Sequence, residues 1–131
     1  MTEICYVLDS EGLSRTVLGD PVMKARLKDA RGVGVRVVTS SMTMIEAYHS
    51  KVPHPAWRWL LSRIIVEPVT EEIADSAISV LKNAGLHGHK YAIDAALAVI
   101  AGRQRGLVTV FTSDEDDMTK LCPLHVRVQR V

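Results

Sequence analysis

The apolar positions of this chain fall into short unbroken runs separated by stretches of helical periodicity. Residues 4–8 read Ile-Cys-Tyr-Val-Leu, the pattern of a strand covered on both faces. Residues 35–38, 65–69 and 107–111 read as further strands, with Pro68 marking the 65–69 run as an edge. Residues 126–131 alternate apolar with polar, as a half-exposed edge strand does. Between the strands lie helix signals. A short helix follows Asp9-Ser10. Asp20-Pro21 joins an N-cap residue to a first-turn proline and opens a helix running to about Arg31, before Gly32 and Gly34. Thr39 or Ser40 can cap a helix carrying Met42, Met44, Ile45, Glu46, Ala47 and Tyr48. Residues 54–63 read as another helix, with Trp57, Leu60, Leu61 and Ile64 on one face. Thr70 caps a helix with the stripe Ile73, Ala77, Val80 and Leu81, which Gly85 ends. Strands alternating with helices predict an α/β fold with a mainly parallel central sheet.

The most informative stretch is residues 91–102, Tyr-Ala-Ile-Asp-Ala-Ala-Leu-Ala-Val-Ile-Ala-Gly. Its composition predicts a helix packed inside the domain. It carries one acid, Asp94, and a carboxylate in such a helix is costly unless a compensating group meets it. Asp9 is expected at the carboxyl end of the first strand and Asp114 just past that end of the 107–111 strand. Glu46 falls early in the helix after the second strand. Asp117, three residues beyond Asp114, shares its face of a short last helix. Ligands of parallel α/β sheets bind outside the carboxyl ends of the strands, so Asp9, Glu46, Asp94, Asp114 and Asp117 can converge on one rim. Left bare they repel one another. A hard divalent cation, Mg²⁺ or Mn²⁺, accepts such oxygens, and such a site can activate water for in-line phosphoryl displacement. The chain has no glycine-rich phosphate loop and no plausible cysteine nucleophile.

Composition narrows the setting. The chain has 131 residues, of which 47% are hydrophobic and 24% charged. That profile fits one domain with a real core. No run approaches the length of a membrane span. The opening MTEICYVLDSEG lacks a basic flank and a cleavage site, so no signal peptide is expected. Cys5 and Cys122 follow no disulfide or metal spacing, which suits a reduced cytoplasm. The net charge of +1 carries no bulk signature of nucleic-acid binding. The distribution says more: Arg15, Lys24, Arg26, Lys28 and Arg31 gather in the first third, acids at 114–117.

Taken in order, LDS near the start, TMIEA in the second quarter, AIDAALA in a late helix and VFTSDEDD after it resemble the PIN domain, most of all the small bacterial VapC-type toxins. The resemblance spans the whole chain as one domain, 1–131. It implies a three-layer sandwich and a Mg²⁺- or Mn²⁺-dependent ribonuclease, the toxin of a type II toxin–antitoxin pair. It also implies a homodimer, an RNA substrate and a cognate antitoxin, while the cysteines and the lack of a spanning run give the expected cytoplasmic setting without a membrane. Asp9, Glu46, Asp94 and Asp114 match the acids of the family's four motifs, and Asp117 a frequent fifth. Ser10 and Thr112 match hydroxyl residues beside the first and last motifs. Asp9, Asp94 and Asp114 are the expected metal ligands, with Glu46 and Asp117 completing the site or orienting water.

Plainer roles exist for each residue. Asp9 suits a helix cap, Glu46 a solvated helix face, and Lys90, one turn before Asp94, a salt-bridge partner. Thr112 with Glu115 spells a capping box. His87 and His89 read as exposed loop residues, Trp57 as core and Trp59 as an outward-facing residue. The functional alternative is a catalytically silent PIN-like module that binds RNA or protein. A phosphoacceptor signalling domain is a third reading, disfavoured because the first strand ends in Asp9-Ser10 rather than two acids.

Overall fold

The computed structural model describes residues 3–131; Met1 and Thr2, at the head of the stretch read as lacking a leader, lie outside it. Among the described residues five strands form one sheet: β1 (Ile4–Leu8), β2 (Arg36–Ser40), β3 (Ile65–Glu67), β4 (Leu107–Thr112) and β5 (Arg127–Arg130). Their order is β3-β2-β1-β4-β5, and every pairing is parallel. The expected mainly parallel sheet is thus wholly parallel, and both segments read as edge strands, β3 and β5, sit at its edges. The helices are α1 (Ser10–Val17), α2 (Pro21–Gly32), α3 (Ser41–Ala47), α4 (His54–Arg63), α5 (Glu71–Ala84), α6 (Gly88–Arg103) and α7 (Glu115–Leu121). They cover both faces of the sheet, giving three layers.

Alternate strand residues build two cores. On one face Val7, Val38, Val108 and Val110 meet α5, α6 and α7. On the other, Leu8, Val37 and Phe111 meet Leu13 and Val17 of α1, Met23 of α2, and Trp57 and Leu60 of α4. Residues 95–101 of α6 are all buried, so this segment of the helix is apolar all round, as its composition requires. Local chemistry sets the ends. Asp20 accepts from the Met23 N–H and Thr70 from the Ile73 N–H. Gly85, at φ 68°, takes the left-handed conformation that closes α5.

Several boundaries move. Val35 lies before β2, because its N–H still bonds the Ala30 carbonyl at the exit of α2. β2 and β4 run on through Thr39, Ser40 and Thr112, all fully buried; the Thr39 hydroxyl donates to the Leu8 carbonyl at 2.8 Å. Ser40 both ends its strand and caps α3, accepting from the Thr43 N–H. β3 stops at Glu67, ahead of Pro68, which has no N–H to give the ladder. α6 starts at Gly88, so His89 is an exposed residue of its first turn rather than a loop residue. No described helix is long and apolar enough to cross a membrane.

Candidate active site

The chain builds β1, β2 and β3 outward on one side, then returns to lay β4 on the other side of β1. The strand order therefore reverses between β1 and β4, the point where parallel sheets open a crevice at their carboxyl ends. Asp9 stands there, one residue beyond β1. Its N–H donates to the Phe111 carbonyl at 3.1 Å. Its Oδ1 accepts from the Gly12 N–H at 2.8 Å, capping α1, and its Oδ2 from the Ser113 N–H at 3.0 Å. The cap role and a site role thus coincide in one side chain that ties the ends of β1 and β4 together. Asp9 is 5% exposed. Burial raises its pKa, while the Gly12 N–H, the Thr112 hydroxyl and the Ser113 N–H pull it back down.

Asp114 follows β4 and is the N-cap of α7, accepting from the Asp117 N–H at 3.3 Å. Its own N–H donates to the Thr112 hydroxyl oxygen at 3.0 Å. This replaces the capping box expected of Thr112 and Glu115. It also corrects the picture of Asp114 and Asp117 on one helical face, since Asp114 precedes the helix. The two carboxyl groups still interact. Asp117 is held below the ordinary carboxylate value, first by its hydrogen bond with Asp114, against the opposing effect of desolvation, with help from the Tyr91 hydroxyl, Lys120 and Lys90.

Asp94 occupies the second turn of α6, just before its fully buried segment. Its pKa is pushed up to about 6, first by burial and then by the charges of Glu46, Asp9, Asp114 and Asp117. Those four acids are therefore within electrostatic reach of Asp94, although they come from α3, the end of β1 and the start of α7. Glu46 itself is exposed. Among the described residues no ion pair involves Asp94, so the Lys90 partnership expected one turn earlier does not form. Cys122 is partly buried and within electrostatic reach of Asp94. Burial and then the Asp94 charge push its thiol up to about 12, which rules it out as a nucleophile at neutral pH.

Among the described residues no three His, Cys, Asp or Glu side chains lie close enough to hold one ion. The donor chemistry nevertheless fits a hard divalent cation. The rim offers carboxylate oxygens, and among the described residues Asp94 has no protein cation to neutralise it. Mg²⁺ keeps several waters and takes only one or two carboxylates directly, so it does not require a closed cage.

A second region was only partly visible in the sequence. A groove of about 710 Å³ lies between α2, α4 and the start of β2. Leu27, Val37 and Leu60 line it, and among the described residues the charged ones around it are Lys24, Lys28, Arg31 and Arg63, with no carboxylate. Trp59, 55% exposed, stands at its side with the Arg63 guanidinium 5.3 Å from its ring centroid. The exposed tryptophan and the basic run were the available signals; their meeting needed the fold.

No family model and no curated protein matches this chain. Among solved structures, a chain of VapBC2 from Rickettsia felis, bound to a DNA fragment from their promoter, superimposes with a TM-score of 0.70. The match covers 98% of this chain and 99% of that one, at 11% identity. At that identity the likeness establishes a shared fold, the parallel three-layer α/β arrangement described above, over the length of both chains.

Proposed function

We propose that this chain is a metal-dependent endoribonuclease of the PIN type, the toxin of a toxin–antitoxin pair, which hydrolyses RNA phosphodiester bonds. The observation that carries this reading is Asp94. It is a half-buried acid without a basic partner among the described residues, set within reach of four more acids at the reversal of strand order. Such a group weakens the fold, and acids kept at that cost mark functional sites. Of Asp9, Asp94 and Asp114, one or two would hold Mg²⁺ or Mn²⁺ directly and the remainder through its waters, and Glu46 and Asp117 would complete the site or orient the attacking water. A bound divalent cation supplies a water acidified toward neutral pH and offsets charge on the phosphate. The Gly12 and Ser113 N–H groups keep Asp9 in place. The test is RNA cleavage by the purified, partner-free chain with and without Mg²⁺. Metal-independent cutting would overturn the reading.

The fold shared with a chain of a toxin–antitoxin complex supports the partner half of the proposal. The cationic apolar groove suits an antitoxin segment bearing apolar and acidic side chains. The homodimer has its own support along α3, where Met42, Ile45 and, at the helix end, Tyr48 are all exposed three residues apart. Clustered apolar exposure of this kind marks contact surfaces. Sedimentation should show a dimer that Ile45→Asp weakens at least about tenfold, since it places a charge in the contact. The rival reading, a silent RNA- or protein-binding module, draws on the lack of three acids at common-ion distance among the described residues. Calorimetry decides between them: absence of Mg²⁺ and Mn²⁺ binding favours the silent module.

A further inference from the structure

We infer that Lys90 is a substrate-positioning residue, its ammonium carried over the Tyr91 ring beside the acidic mouth to take a phosphate flanking the cleaved bond. The inference rests on the nuclease reading above and asks what that reading leaves unexplained. Asp94 and the four acids within its electrostatic reach would face a polyanion, and one divalent cation would leave that mouth negative. RNA needs a further cation there, and one not already engaged with an acid.

Lys90 meets those conditions. It lies four residues before Asp94 on α6, hence on the same helical face. Its ammonium sits 5.1 Å from the Tyr91 ring centroid. Among the described residues it joins no ion pair, whereas Arg15, Arg36, Arg103, Arg105 and Lys120 each engage a carboxylate. Lys120, the other lysine near the mouth, already approaches Asp117 at 3.9 Å. Lys90 is kept protonated, first by Tyr91 and then by the charges of Asp117 and Asp114. It is thus close enough to feel the mouth yet bound to none of it. The half-buried Tyr91 ring beneath, packed against the core, holds the ammonium in place.

The experiment measures binding of a short single-stranded RNA by fluorescence anisotropy across roughly 50–200 mM salt, the range over which phosphate contacts lose affinity. Asp94→Asn is the common background, so no RNA is cut. Adding Lys90→Gln should weaken binding several-fold and lower the salt slope by about 0.7, the value of one phosphate contact on a single strand. Lys90→Arg should restore both, and Tyr91→Leu should weaken binding without changing the slope. In the cleaving protein, the Lys90→Gln loss should appear in KM rather than kcat. Unchanged affinity and slope in Lys90→Gln overturn the inference. If the slope falls but the wild-type chain cuts no RNA with Mg²⁺ or Mn²⁺, the nuclease reading fails while the Lys90 contact stands.

Discussion

The chain crowds like charge in two places and treats them oppositely. At the carboxyl ends of β1 and β4 Asp94 lies within electrostatic reach of Glu46, Asp9, Asp114 and Asp117, and Asp9 and Asp94 are taken partly or wholly out of water. Beside α2, four bases surround an apolar groove and stay in solvent. A net charge of +1 conceals this segregation. Burial decides the energetic consequence. A desolvated carboxylate among other carboxylates shifts its pKa and weakens the fold, whereas exposed lysines one turn apart repel by only a few tenths of a kcal/mol. Each region is a local departure from what stability alone selects, which is where function is to be sought.

The largest effect should come from the acidic side. Asp94→Asn removes the central charge while keeping the shape of the side chain. RNA cleavage with Mg²⁺ should fall by about a hundredfold or more, as expected for loss of a group acting on the reacting charge. Full activity in this variant, measured on the same oligonucleotide, would remove Asp94 from the chemistry.

How much of this was legible in the sequence differed between the regions for a physical reason. Asp94 could be found because it breaks an otherwise apolar stretch, and burial is written into composition. Asp20-Pro21, Thr70 and Gly85 set helix ends through bonds spanning only a few residues, so those boundaries also came out. Ser40 does cap α3, but Thr39 and Thr112 misled because a buried hydroxyl at a strand end looks the same in sequence as a cap outside it. The choice between Thr112 and Asp114 as cap depended on how β4 exits the sheet. The groove unites α2, the start of β2 and α4, segments with no local relation, so only the fold brings Arg31 and Trp59 to one opening.

Within the acidic rim, Asp9 and Asp94 should respond to mutation in opposite directions. Asp9→Ala strands the Gly12 and Ser113 N–H groups and removes the α1 cap. It should cost about 2 kcal/mol in urea unfolding at pH 7, a lost cap plus a lost buried hydrogen bond, despite relief of the buried charge. A variant as stable as the wild type would show those N–H groups to be satisfied elsewhere.

Asp94→Asn should stabilise the metal-free protein instead. The folded pKa of about 6 lies above the unfolded value of about 3.9, so the folded state binds the proton more tightly. Stability from this group is therefore complete below about pH 4 and is lost as pH rises through about 6. After allowance for partial exposure, the variant should gain about 1–2 kcal/mol at pH 8 and almost nothing at pH 4. Added Mg²⁺ should narrow the difference by stabilising only the wild type. A gain that is the same at both pH values would show that Asp94 is not strained by its charge.

The basic side should give the smallest effect and the sharpest test of the contrast. Lys24, Lys28 and Arg31 stand at i, i+4 and i+7 on α2, and among the described residues none pairs with a carboxylate. Lys28→Glu turns two like-charge neighbours into two attractive pairs, and replaces a good helix former with another. The free protein should gain about 0.5 kcal/mol at low salt, and the gain should fade at about 1 M salt, where exposed charges are screened. If the gain appears, the natural lysine is held against a small stability preference, as a surface kept basic for an acidic partner would be. A neutral or destabilising result would make these bases an ordinary solvated face. The acidic rim would then be the only one of the two regions where the fold gives up stability.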